Sequence, residues 1–205
     1  MGPLGDTTPN GAEEHQKNIS AHRLEVQPLS WLTLAIWDVV IWQKRFELAY
    51  LNPLTIYHSA QHGHVGDFDN AVVGGDIAVT IPAWGQWYFS LFIDEIEHDK
   101  FNQLFTFPKN MFAFQTGFHV PVTVRRLPFS SVRAQYTKIE PYTYTHHPSS
   151  TPFFPGNDEP LMSTNYTHDG ENLGYYLPPN SDEFMIRVTS LPALGFLFEY
   201  NLLRF

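Results

Sequence analysis

The sequence contains no cysteine, so it offers no thiol nucleophile, no disulfide and no thiolate ligand for a metal. Basic residues are also few: 12 lysines and arginines stand against 21 aspartates and glutamates, for a formal net charge of -9. Binding to nucleic acid needs clustered basic side chains, and these are scattered. We therefore expect no nucleic-acid partner.

Long apolar runs are missing as well. The longest, residues 31–42, is interrupted by Asp38 and is far shorter than the roughly 20 residues that a membrane-spanning helix needs. Residues 1–16 have no apolar segment of the kind found in a signal peptide. We expect residues 1–19 to be a disordered N-terminal segment or a cloning remnant, and residues 20–205 to form the folded unit.

Motifs of catalysis are absent too, since the sequence has no glycine-rich phosphate loop, nucleophile elbow or Walker-type lysine. Four acidic residues close together, Asp94, Glu95, Glu97 and Asp99, invite comparison with the paired carboxylates of glycosidases. Alternation along a strand would send Asp94 and Glu95 to opposite faces, which argues against that pair. We expect a non-enzymatic protein without a cofactor.

Aromatic residues, in contrast, are abundant at 16%, while charged residues make up only 16%, against roughly 25% in soluble domains. Apolar and polar residues alternate with a period of two through much of the chain, which is typical of strands with one polar face. Most of these segments have about the 9–11 residues of a tilted membrane-spanning strand. The pattern predicts about eight strands, at 20–27, 32–42, 71–81, 86–96, 111–120, 129–145, 183–190 and 195–204.

The connections between these strands alternate in length. Short links that mostly contain proline alternate strictly with long polar links at 43–70, 97–110 and 146–182. Outer-membrane β-barrels have short periplasmic turns and long external loops, whereas a Greek-key sandwich has no reason to alternate in this way. The sequence therefore predicts an all-β antiparallel meander that forms part of an outer-membrane β-barrel.

The alternation also predicts which side chains share a face of the sheet, because neighbouring residues of a strand point in opposite directions. The expected polar face carries Asp76, Gln86, Asp94, Gln115, Arg133, Gln135, Arg187 and Glu199. The expected apolar face carries Ile77, Trp87, Phe89, Phe112, Phe114, Phe184, Phe196 and Phe198. Helical periodicity is absent except within residues 42–51, so we expect no helix longer than about three turns.

Both ends of the meander would lie on the external side if the short links are periplasmic. Complete barrels of this class begin and end in the periplasm, so we expect the chain to be an internal run of strands from a larger barrel. The first and last strands should then not pair with each other, although eight strands would suffice for a small closed barrel.

Several segments resemble the capsule-assembly (Wzi-type) outer-membrane family, in order along residues 20–204. They are residues 46–54 (FELAYLNPL), 57–58 (YH), 69–74 (DNAVVG), 136–146 (YTKIEPYTYTH), 165–168 (NYTH), 173–174 (LG) and 179–184 (PNSDEF). The resemblance implies a larger monomeric barrel in the outer membrane that is associated with surface polysaccharide.

Tyrosine and amide side chains in the long links are candidates for contact with that polysaccharide, through stacking and hydrogen bonds. The candidate residues are Tyr142, Tyr144, Tyr166, Asn180 and Asp182. Aromatic girdles at a lipid interface would supply the same residue types for a structural reason.

A cluster of His58, His62, His64, Asp67 and Asp69 has the residue types that ligate metals, but its spacing matches no standard motif. A solvated polar loop is the simpler interpretation, and we expect no metal.

The leading hypothesis is thus a non-enzymatic outer-membrane protein that attaches or organises surface or capsular polysaccharide at the cell surface. A porin-like channel in the same membrane is the first alternative, and it differs only in having an open lumen. A soluble β-sandwich that binds carbohydrate is the second.

Overall fold

A computed structural model describes most of the chain between residues 17 and 204. The described residues are 17–43, 46–52, 54–60, 69–96, 102–106, 110–124, 127–145, 164–168, 171–193 and 196–204. The predicted N-terminal segment lies outside them except for residues 17–19, which already belong to the first strand.

Eight long strands form one antiparallel sheet in which every strand pairs with the strands next to it along the chain. The strands are β1 (Lys17–Leu29), β2 (Leu32–Gln43), β3 (Asn70–Ile81), β4 (Gly85–Glu95), β5 (Met111–Val124), β6 (Leu127–Ile139), β9 (Ser181–Ala193) and β10 (Phe196–Arg204). A separate pair, β7 (Thr167–His168) and β8 (Glu171–Asn172), lies in the connection between β6 and β9. The predicted all-β meander is confirmed.

The boundary predicted for β6 is wrong. The alternation of tyrosine and threonine predicted a strand to residue 145, but β6 ends at Ile139 and residues 141–144 form turns. Tyr142 and Tyr144 have positive φ angles of 64° and 75°, which are incompatible with an extended strand. Tyrosine and threonine suit strands, so this alternation concealed the turn.

Among the described residues, the helical elements are a 3₁₀ turn at Leu48–Leu51, a single α-helical turn, α1 (Tyr57–Ala60), and two residues of 3₁₀ conformation at 102–103. All are shorter than the three turns that the sequence allowed. In the described ranges no helix has the length and apolar character to cross a membrane.

The strand register confirms the predicted division into two faces. Asp76 lies opposite Ser90, Ser90 opposite Gln115, and Gln115 opposite Thr137, so the polar residues follow one another across the sheet. Residues of the other predicted set fall on the opposite face. The side chains of Phe196 and Phe198 lie outside the description.

The two faces differ strongly in their chemistry. The polar face carries linked ionic groups: Arg23 contacts Asp76 and donates to Glu25 at 2.7 Å, and Arg187 lies 3.1 Å from Glu199. The other face, which we call the apolar face, exposes large hydrophobic side chains along several strands. They are Leu24, Val26, Ile36, Ile77, Phe118, Val120, Phe184, Tyr200 and Leu202.

β1 and β10 are the two edges of the sheet, and within the described strands no ladder of hydrogen bonds joins them. This agrees with the expectation that the first and last strands do not pair. An edge strand presents unpaired backbone groups to any other strand that approaches it.

Two glycines allow large side chains to lie across the polar face. Trp37 of β2 lies over Gly74 of β3, and its ring centroid is 5.9 Å from that of Phe92 in β4. Tyr88 of β4 crosses Gly117 of β5 and donates to Gln135 Oε1 in β6 at 2.7 Å. In each case a Cβ atom would occupy the space that the crossing ring needs.

Replacing Gly74 by alanine should therefore destabilise the sheet. The new Cβ would clash with the Trp37 ring and with the backbone oxygen of Leu91, and overpacking of this kind costs roughly 1–3 kcal/mol. Gly75→Ala is the matched control, because its Cβ would lie 3.1 Å from Ala35 O and needs only a small adjustment. Denaturant unfolding of both variants tests the difference, and equal stabilities would contradict it.

Candidate functional site

The long connections all leave the same end of the sheet, which we call the loop end. They join β2 to β3, β4 to β5, and β6 to β9, and β1 also begins there. The described parts of these connections pack against the sheet in two clusters, one on each face. Candidate functional side chains therefore concentrate at the loop end.

The cluster on the apolar face is built around two fully buried tyrosines, Tyr50 and Tyr57, which pack with Trp42. The Tyr57 hydroxyl lies 2.6 Å from Ser20 Oγ and 2.5 Å from His22 Nε2. Burial raises the pKa of Tyr57, so this hydroxyl stays protonated at neutral pH.

One residue of the His/Asp-rich loop, which the sequence analysis considered as a metal site and set aside, contacts one of these tyrosines. Asp69 is fully buried, and its Oδ2 accepts a hydrogen bond of 2.6 Å from the Tyr50 hydroxyl. His62, His64 and Asp67 lie outside the described residues. Within the residues that the structure describes, no group of three or more potential metal ligands occurs.

The cluster on the polar face contains two of the predicted sugar-contacting residues, Tyr144 and Tyr166. Their rings stack with centroids 6.0 Å apart, and both meet the Phe92 ring edge-on. Asp94 accepts a 2.9 Å hydrogen bond from the Tyr144 backbone nitrogen. Tyr144 is only 2% exposed, so its observed role is packing of the loop.

Lys17, on the edge strand β1, holds part of the connection between β6 and β9. Its ammonium group donates to the backbone oxygens of Asn165 and Thr167, at 3.1 and 3.0 Å. Since Lys17 lies on the edge strand β1 while Tyr144 follows β6, residues 164–168 extend over the polar face. Part of the connection between β6 and β9 thus folds over the polar face of the sheet.

Tyr175 and Tyr176 complete this packing by donating hydrogen bonds to the two carboxylate oxygens of buried Glu183. Burial, together with the hydrogen bond to Glu183, raises the pKa of Tyr175 to about 12. Of the acidic residues considered for a glycosidase, Asp94 is half-buried and accepts the hydrogen bond from the Tyr144 backbone nitrogen. Glu97 and Asp99 lie outside the described residues.

The other three predicted sugar-contacting residues lie in two different places. Asp182 projects from the apolar face, where it accepts a 3.0 Å hydrogen bond from the Tyr136 hydroxyl. Tyr142 and Asn180, although 38 positions apart in the sequence, line one pocket. Of the five candidates, the structure brings these two together in an accessible place.

This pocket, which we call the rim pocket, lies where the turn after β6 meets the segment before β9. Its volume is about 570 Å³, and its lining comprises Phe105, Thr106, Asn110, Glu140, Pro141, Tyr142, Thr145, Pro179 and Asn180. That size falls within the roughly 300–1,000 Å³ typical of small-molecule sites.

Glu140 and Asn110 form the buried polar part of the rim pocket. Glu140 is 5% exposed, and its Oε1 lies 2.5 Å from the ammonium of Lys138, which also sits 5.1 Å from the centre of the Phe105 ring. Asn110 donates to the backbone oxygens of Gln103 and Leu104, holding the turn that carries Phe105. Sequence reasoning missed Phe105, Asn110 and Glu140, because Phe105 and Asn110 lie in the connection between β4 and β5 while Glu140 follows β6.

Comparison of the chain with family models, curated proteins and solved structures finds no match in any of the three. The resemblance to the capsule-assembly family stays a hypothesis.

The anchoring role of Lys17 can be measured. Lys17→Met removes two hydrogen bonds from a charged donor, each worth roughly 1.5–3 kcal/mol. We expect faster hydrogen exchange at the amides of Tyr166 and Leu173, which bond to Tyr144 O and Tyr166 O in the same loop. Arg204→Met is the control, because it removes a cation from an exposed position on β10, and it should leave that exchange unchanged. Equal exchange in both variants would refute the anchor.

Proposed function

We propose that this chain forms part of an outer-membrane β-barrel that holds or organises polysaccharide at the cell surface, without catalysing a reaction. The observation that carries the membrane part is the apolar face of the sheet. Ile36 and Leu24 lie directly opposite each other on it and are 65% and 62% exposed. Large exposed apolar surfaces mark contact with a protein partner or a membrane.

The geometry of the strands supports the same proposal. The long strands have 9 to 14 residues, enough to cross the apolar layer when tilted, for which roughly 9–11 residues suffice. Apolar residues on one face and polar residues on the other match a lipid-facing exterior and a polar interior. Short turns at one end and long connections at the other match the periplasmic and external sides.

The polysaccharide part of the proposal has two supports. One is the resemblance of several segments to the capsule-assembly family. The other is the rim pocket, which opens among the long connections and so would face the cell exterior in this orientation. Its lining combines aromatic and amide side chains, which suits a sugar better than it suits a purely apolar ligand.

The alternatives differ in what the polar face encloses. A porin-like channel needs an open lumen, whereas the loop fastened by Lys17 extends over the polar face and narrows that space. A soluble sandwich needs a second sheet packed on the first. Among the described residues the only other sheet is the two-residue pair of β7 and β8. Both observations favour the leading proposal.

Two adjacent leucines of β10 provide a direct test. Leu202 lies on the apolar face and Leu203 on the polar face, with 50% and 43% of each side chain exposed. Leu202→Lys should impair insertion into lipid vesicles, because a charge facing lipid costs up to roughly 4 kcal/mol, depending on depth. Leu203→Lys should insert like the unchanged protein, since its ammonium group would face the polar interior.

Insertion can be scored as the fraction of refolded protein that stays with the vesicles during a wash in alkaline carbonate. Equal insertion of the two lysine variants would argue against a lipid-facing apolar face. A chain that stays monomeric and folded in water without detergent would favour the soluble sandwich.

A further inference from the structure

The rim pocket displays an aromatic ring on a backbone that tyrosine rarely adopts. Tyr142 is 56% exposed and has φ 64°, in the left-handed region that non-glycine residues avoid. Asn180, which also lines the pocket, has φ 61°, a value that asparagine tolerates. Strained conformations persist where the surrounding structure enforces them, and they concentrate at ligand sites.

The pocket combines flat apolar walls with convergent hydrogen-bonding groups. The rings of Phe105 and Tyr142 and the two prolines are apolar, while Glu140 and Asn180 contribute a carboxylate and an amide. A pyranose ring has an apolar C–H face and a rim of hydroxyls, so it can meet both kinds of surface at once. Amides serve as both donors and acceptors, as hydroxyl groups require.

The charge of the lining restricts the kind of sugar. Glu140 contributes a carboxylate to the lining, and the Lys138 ammonium that pairs with it at 2.5 Å does not itself line the pocket. Lys138 reduces the repulsion between Glu140 and the carboxylate of a uronic acid or another acidic sugar, but none of the lining residues is cationic and able to receive that carboxylate. An uncharged sugar avoids this repulsion.

We propose that the rim pocket binds an uncharged oligosaccharide segment, with Tyr142 stacking on a sugar ring and Glu140 and Asn180 bonding its hydroxyls. The inference rests on the proposed polysaccharide function, and it names the ligand class and the residues. Tyr142 contributes mainly through its ring, and Glu140 provides discrimination against acidic sugars.

The test measures binding of four trisaccharides to the full chain in detergent micelles by saturation-transfer NMR and titration. Three are uncharged, namely maltotriose, mannotriose and triacetylchitotriose, and the fourth is the acidic trigalacturonate. At least one uncharged probe should bind about tenfold more tightly than trigalacturonate. Glu140→Gln should reduce that preference.

The decisive variant is Tyr142→Asn, because asparagine tolerates the left-handed backbone and so keeps the turn folded. It should weaken binding of the uncharged probe about tenfold or more, with unchanged thermal unfolding. Tyr200→Asn is the matched control: Tyr200 is 54% exposed but lies on β10, away from the pocket, and its loss should leave binding unchanged.

The proposal is overturned if no uncharged probe binds, if trigalacturonate binds as tightly, or if Tyr142→Asn binds like the unchanged protein. The outcome is separable from the membrane test. Normal vesicle insertion without sugar binding would refute the rim pocket alone, and sugar binding without insertion would refute the membrane assignment alone.

Discussion

The register of the eight-stranded sheet is the constraint on which the other features depend. A slip of one residue between any two strands would move a polar side chain such as Gln115 to the apolar face and a phenylalanine to the polar face. Antiparallel pairing of each strand with its chain neighbours keeps Asp76, Ser90 and Gln115 in one row. The ionic pairs and the packing of the loops on each face follow from that order.

Packing at the loop end links this register to the candidate site. Gly74 and Gly117 leave room on the polar face for rings that cross from one strand to the next, and these rings lie beneath the loop that folds over this face. Tyr144 packs against Phe92 and Lys17 holds the loop from the opposite edge. The turn that buries Tyr144 also exposes Tyr142. The same segment therefore packs the loop onto the sheet and forms part of the lining of the rim pocket.

Sequence reasoning located the strands because alternation is a local signal, which residues 183–189 carry clearly. It failed at residues 140–145, where side chains suited to a strand occupy a turn set by tertiary contacts, among them the bond from Thr143 to Phe112 O. It identified Tyr142 and Asn180 as candidates by residue type, but it could not show that they line the same pocket. Phe105 comes from the connection between β4 and β5, and only the folded sheet brings it near Glu140 and Tyr142.

Contact of the apolar face with lipid is the central claim, and a spin-label scan along β9 in lipid vesicles tests it most directly. Labels placed singly at residues 183–188 report access to oxygen, which concentrates in lipid, and to a water-soluble nickel complex. We expect oxygen access to peak at Phe184, Ile186 and Val188 and to fall at the residues between them, with a period of two, while nickel access stays low at the three peaks and is highest at exposed Arg187. Nickel access at Phe184, Ile186 and Val188 as high as at Arg187 would contradict a lipid-facing apolar face.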